Sequence, residues 1–152
     1  MKNKKVLIIC KSVHHGNTMK IAEIMADELN AYLKEPSKVN LGEIAHYDLL
    51  GFGSGIYNQK HHESLFNLVD KIQEKSKAFI FSTASFRFKR LHEALRNKVI
   101  EKEMEIIGEF CCKGFMNHSF TKYFFGGINK NRPNEKDFRK ARDFCIDLKG
   151  NF

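Results

Sequence analysis

Short apolar runs rich in β-branched and aromatic residues return along this chain, and between them the apolar residues fall at helical spacing. That alternation limits the fold more than any other feature, because parallel strands need crossover connections and helices supply them. Residues 5–10, 49–54, 78–83 and 104–112 predict strands, and residues 39–41 predict a short second strand. Helical spacing predicts helices over 19–33, 62–75, 91–100 and about 134–148; in the first, Ile21, Ala22, Met25, Leu29 and Leu33 share one stripe. Five strands with their crossovers in 152 residues predict one domain over residues 1–152. Its class is α/β, a single doubly wound five-stranded parallel sheet with right-handed crossovers. The cluster Gly51, Gly53 and Gly55 is expected to end the third strand. Pro133 precedes the last helix, Asn134 reads as its N-cap, and Glu135 and Asp137 fall in the first turn, where the helix dipole favours anions.

No apolar run approaches the roughly 20 residues that span a bilayer. The charged start followed by Val6-Leu7-Ile8-Ile9-Cys10 is too short for a signal sequence, and Ile9 is too large to precede a cleavage site, so it reads as a buried strand. Cys10, Cys111, Cys112 and Cys145 form no zinc spacing, and two adjacent cysteines suit no ordinary disulfide framework, which implies a reducing cytoplasm. The net charge is +8, and the half from Phe86 onward carries 15 Lys and Arg against 9 Asp and Glu. An acidic partner, an anionic ligand or nucleic acid fits that balance.

In an open parallel sheet, ligands sit outside the carboxyl ends of the strands where the strand order reverses. The first loop there, Ser12-Val13-His14-His15-Gly16-Asn17-Thr18, offers hydroxyls, an amide, a glycine and the N–H groups of a helix start, all donors to a phosphate. The same residues suit a polar turn with Asn17 or Thr18 as N-cap. The loop has neither the Gly-x-Gly-x-x-Gly of a dinucleotide site nor the Gly-Lys-Ser/Thr of a P-loop. Strand, Ser-x-x-His-Gly-Asn-Thr, helix resembles the FMN phosphate loop of the flavodoxin family, with His14 and His15 standing where one Thr is usual. The stretch from Asp48 through Gly53, Ser54, Gly55, Ile56 and Tyr57 is similar to that family's third strand and flavin-flanking loop. Ser82, Thr83, Ala84 and Ser85 are similar to its fourth strand and second flavin loop, and residues 108–115 and 126–137 resemble the end of short-chain members.

The resemblance implies strand order 2-1-3-4-5 and bound FMN. It assigns the cofactor to Ser12, His14, His15, Gly16, Asn17, Thr18, Ser54, Gly55, Ile56, Tyr57, Ser82, Thr83, Ala84 and Ser85. Tyr57 is the candidate wall of the flavin slot or packs beneath a surface loop; Phe86 or Phe88 stands as the opposite wall or in the core; Gly55 is a mobile peptide or a plain turn residue. His14, His15, His61 and His62 lack a carboxylate or cysteine at metal spacing, so no metal and no catalytic side chain is assigned. The arginine spacing of low-molecular-weight tyrosine phosphatases is absent, and the third strand ends in Gly53-Ser54 where a receiver domain needs Asp. The implied function is electron transfer between redox partner proteins, acidic ones given this charge, with no membrane insertion. The alternatives are an NAD(P)H-dependent FMN quinone or flavin reductase, and a basic binding module without flavin. Aromatics at core spacing argue against nucleic acid. Lys60, His61 and His62 after one flavin loop, and Arg87, Lys89 and Arg90 after the other, are expected to ease addition of the second electron.

Overall fold

The computed structural model describes residues 3–13, 16–84, 89–113 and 133–152. In chain order these form β1 (Val6–Lys11), α1 (Asn17–Leu29), β2 (Tyr32–Lys34), 3-10 turns at Pro36–Lys38 and Leu41–His46, β3 (Leu49–Tyr57) and β4 (Lys60–His61). Then come α2 (Glu63–Lys71), β5 (Lys77–Ala84), a 3-10 turn at Lys89–His92, α3 (Glu93–Glu101), β6 (Glu105–Lys113) and α4 (Glu135–Lys149). Five strands make a parallel sheet ordered β2-β1-β3-β5-β6, and β4 pairs antiparallel with β3. With that two-residue strand set apart, the order is the 2-1-3-4-5 expected.

Both faces of the sheet are buried because successive side chains of a strand point opposite ways and each face carries helices. Val6, Ile8 and Cys10 pack with Ile21 and Met25 of α1 and Ala141, Cys145 and Leu148 of α4. Leu7, Ile9, Leu50 and Phe52 pack on the other face with Leu65 and Val69 of α2 and Leu95 and Val99 of α3.

Three expectations need correction. The first helix stops at Leu29, not Leu33: Asn30 adopts the left-handed conformation at φ 49° and its N–H caps the carbonyls of Ala26 and Asp27. The second strand is therefore Tyr32–Lys34 beside Leu7–Ile9, while residues 39 and 40 lie between two 3-10 turns and Leu41 begins the second of them. Leu33 and Val39 both pack against the core, so the apolar pattern located burial but not conformation. The glycines do not end β3, which runs on to Tyr57. Gly51 and Gly53 lie within it because a Cβ at Gly51 would come closer than 3.0 Å to the Phe79 ring, and one at Gly53 equally close to the Phe81 ring, of the neighbouring β5. At the far end, Asn134 caps α4 as expected: its side chain accepts from the N–H of Lys136 and Asp137, and Asp137 returns a bond to the Asn134 N–H at 3.0 Å.

Candidate functional site

The strand order reverses between β1 and β3, so the loops beyond their carboxyl ends diverge and leave a crevice. On the β1 side stands Ser12, half-buried, followed by exposed Val13. Gly16, at φ 64°, is the N-cap of α1, and a Cβ there would meet nothing within 4 Å. The cap is thus neither Asn17 nor Thr18; these are the first two helical residues, and both are buried. The first helical bond runs from the Lys20 N–H to the Gly16 carbonyl at 3.1 Å, so N–H groups earlier in the turn have no acceptor within the helix. An open glycine, aligned N–H donors and the positive end of a 13-residue helix together suit an anion.

Thr18 faces inward and its Oγ1 lies 2.6 Å from Thr83 Oγ1 of β5, a buried bond that ties the first loop to the third. Between them β3 continues into a tight hairpin. Ile56 pairs with His61 and Tyr57 with Lys60, and Asn58 and Gln59 turn at φ 50° and 65°. The Tyr57 ring folds back so that a Cβ on Gly55 would come within 2.9 Å of its hydroxyl. The Val13 backbone bonds that phenol, and His62 meets the ring edge-on with centroids 5.5 Å apart. Tyr57 thereby spans the first and second loops, and burial raises its phenol above the ordinary value more than the Val13 bond lowers it.

Ser54 and Ser82 are register partners on β3 and β5. Each hydroxyl is hydrogen-bonded to a histidine: Ser54 Oγ lies 3.0 Å from His61 Nδ1, and Ser82 Oγ 2.7 Å from His92 Nε2. The two imidazoles pack together with centroids 4.9 Å apart. His92 Nδ1 reaches Glu109 Oε1 at 3.2 Å, and Arg96 clasps the same carboxylate with Nε at 3.0 Å and Nη2 at 2.8 Å. Burial raises the Glu109 carboxyl pKa, but hydrogen bonding and charge from Arg96 outweigh it and hold the group below the carboxylate norm. The chain Ser82, His92, Glu109 has the connectivity of a nucleophile, its base and an orienting acid. Both Ser82 and His92 are fully buried, which suits tying β5 to the turn before α3 rather than attacking a substrate.

Of the residues singled out from sequence, Ser12, Gly16, Asn17, Thr18, Ser54, Gly55, Ile56, Tyr57, Ser82, Thr83 and Ala84 all line the carboxyl edge of β1, β3 and β5 or the turns just beyond. His14, His15, Ser85, Phe86, Phe88 and Arg87 lie outside the described residues. His61, counted among the positive charges, is instead buried at 2% exposure and held neutral. His92, Arg96 and Glu109 were missed, although Glu109, set between Gly108 and Phe110 inside the run 104–112, was a legible signal. Cys10 is a buried free thiol, and burial pushes it up to about 12. No helix among the described residues is long and apolar enough to cross a membrane.

The sequence pattern of the flavodoxin domain matches residues 7–108, from β1 into β6. The chain belongs to the flavodoxin family. It is also 54% identical over 144 residues to an uncharacterized protein of Methanocaldococcus jannaschii, covering 93% of this chain and 95% of that one. Among solved structures it is similar to oxidised Flavodoxin 2 from Bacillus cereus, with TM-score 0.72 and 19% identity over 97% of this chain and 99% of that one. A flavodoxin from the domain Archaea gives TM-score 0.69 and 16% identity over 95% of each chain. At such identities these two show a shared flavodoxin fold.

Proposed function

We propose that this flavodoxin-family chain binds FMN and carries electrons between redox proteins, the acidic ones being favoured by its charge of +8. The observation that carries the reading is the convergence, at the reversal of strand order, of an open Gly16 helix start with the carboxyl ends of β3 and β5, set side by side by their pairing. The residues fit the group. The backbone donors of the α1 first turn, with Ser12, would hold the phosphate, and the segments at Gly55, Ile56 and Tyr57 and at Thr83 and Ala84 would flank the flat ring system. When bound, FMN supplies the capacity to take up and release one or two electrons.

The protein's own part is to hold those loops still. Thr18 joins the start of α1 to the end of β5 through Thr83, Tyr57 joins the β3 hairpin to the first loop through Val13, and Ser54 and Ser82 anchor β3 and β5 to buried histidines. A fixed site reduces the rearrangement that accompanies each charge change.

Titration of the purified protein with FMN and with riboflavin tests the reading. FMN should bind roughly tenfold tighter or better, since charge-assisted hydrogen bonds to a phosphate are worth about 1.5–3 kcal/mol. Equal affinities would remove the phosphate assignment, and no binding of either would leave the basic binding module. Steady-state oxidation of NAD(P)H by the loaded protein alone would turn the reading toward a reductase.

A further inference from the structure

Ser54 has one proton to give and two lone pairs, and the structure uses all three. Its Oγ lies 2.6 Å from the Gly55 carbonyl, a separation that requires the hydroxyl proton between them. It accepts the His62 N–H at 2.9 Å, so the remaining contact, 3.0 Å to His61 Nδ1, must be donated by the imidazole. His61 is thereby the Nδ1–H tautomer, and its Nε2 carries a bare lone pair. That atom is fully buried and has no hydrogen-bond partner among the described residues. The unpaired acceptor faces no donor, and the ring instead packs against His92, whose own nitrogens are tied to Ser82 on β5 and Glu109 on β6.

We propose that His61 is a positioning residue for the flavin slot: through the Ser54 hydroxyl it holds the Gly55 carbonyl turned toward the strand, and by packing on His92 it locks the Gly55–Tyr57 wall to the Thr83–Ala84 end of β5. The proposal rests on the FMN reading above. It makes the neutral imidazole the working form. A proton on Nε2 would place a charge where no acceptor reaches it, beside a second imidazole, and the ring would have to swing out and release Ser54.

The charged groups around the ring do not rescue that charge. Glu109 on β6 is already engaged by His92 and by Arg96 of α3. Asp70 of α2, across the groove that His61 lines, is paired with Lys98 of α3 at 2.7 Å. On its own segment His61 is flanked by Lys60 and His62, which add no anion. Burial and His92 accordingly lower the His61 pKa well below the ordinary imidazole value.

Two measurements on the full chain test this separately. In the flavin-free protein, nitrogen NMR should show His61 as the Nδ1–H tautomer at neutral pH, and the backbone amides of Gly55, Ile56 and His62 should shift with the midpoint of the His61 ring. An Nε2–H tautomer, or hairpin amides that ignore that midpoint, overturns the proposal. The FMN dissociation constant is then followed against pH for wild type, His61→Asn and His61→Phe. Asn keeps a donor near the Nδ1 position and cannot titrate, so it should bind within about threefold of wild type at neutral pH and weaken less in acid. Phe lacks the donor and should bind about three- to tenfold more weakly at neutral pH. The phosphate of FMN itself titrates near pH ~6 in all three, so the comparison is between slopes. A slope for His61→Asn equal to that of wild type overturns the proposal, with or without a folded Phe variant. If wild type binds no FMN at any pH, the cofactor reading falls and with it the flavin-slot role, while the NMR result still decides whether His61 holds the hairpin.

Discussion

Two buried or part-buried titratable side chains, His61 and Glu109, are held in one charge state by their surroundings, and their titration makes the protein sensitive to acid. His61 stays neutral when folded, its imidazole lowered first by burial and then by His92 from the ordinary 6.5. The unfolded chain takes up a proton near that pH which the native state refuses, so the contribution to stability is full above pH 6.5 and declines as pH falls toward the native midpoint. Glu109, lowered overall from 4.5 because Arg96 outweighs burial, contributes above pH 4.5 and loses that contribution as pH falls through its native value. Denaturant unfolding at successive pH values should therefore show a decline beginning near 6.5 that His61→Asn lacks, and a later one that Arg96→Met removes. Thr18→Ala should cost about 1–3 kcal/mol at neutral pH by stranding the buried Thr83 hydroxyl, and the Thr18→Ala/Thr83→Val pair should recover part of it. Urea titration checks both. The two hydroxyls were both legible as donors, one at a helix start and one at a strand end, but their bond to each other was not, because it depends on α1 lying against β5.

β3 and β5 illustrate what an apolar pattern conveys. The runs Leu49–Ser54 and Ala78–Thr83 announce strands through their residue types, yet Gly51, Gly53 and Gly55 look like a terminator when β3 is read alone. Their purpose appears only with the register that sets Gly51 beside Phe79 and Gly53 beside Phe81, where the rings fill the space of the absent Cβ atoms. Gly53→Ala should thus destabilise by about 1–3 kcal/mol or more through overpacking, and adding Phe81→Leu should return part of the loss. Thermal unfolding of the single and double variants decides it; a neutral Gly53→Ala would refute the packing account. The same dependence explains the displaced second strand. Leu33 continues the α1 stripe by spacing, but the left-handed Asn30 closes the helix and sends Tyr32 to Lys34 beside β1.

Across the molecule, the net charge of +8 acts through the few cations near the site. Lys60 on the hairpin and Arg90 on the turn before α3 are exposed and border one groove of about 620 Å³. At a separation on the order of 8 Å, one such charge stabilises a negative charge on the cofactor by roughly 0.5–2 kcal/mol, or ~20–90 mV for one electron. Addition of the second electron to the FMN-loaded protein should become harder by tens of millivolts in Lys60→Gln/Arg90→Gln, with the gap closing at high salt. Equal potentials at low salt would exclude these side chains from tuning. The rate of association with an acidic redox partner should fall with ionic strength in wild type and less so in the double variant.

The alternation of apolar runs and helical spacing was enough to place four of the five parallel strands, the α/β class and the loops where a ligand belongs, since these follow from local periodicity and the geometry of parallel crossovers. The capping of α4 by Asn134 was equally local. The Ser54–His61 and Ser82–His92 contacts span only 7 and 10 residues and the Arg96–Glu109 grip 13, but each needs the chain to turn back on itself, and the packing of His61 on His92 needs the parallel register that sets Ser54 beside Ser82. Residue type proposes a donor or a charge; the packing of the sheet decides whether it meets a partner, and so whether His61 is a surface cation or a buried neutral ring.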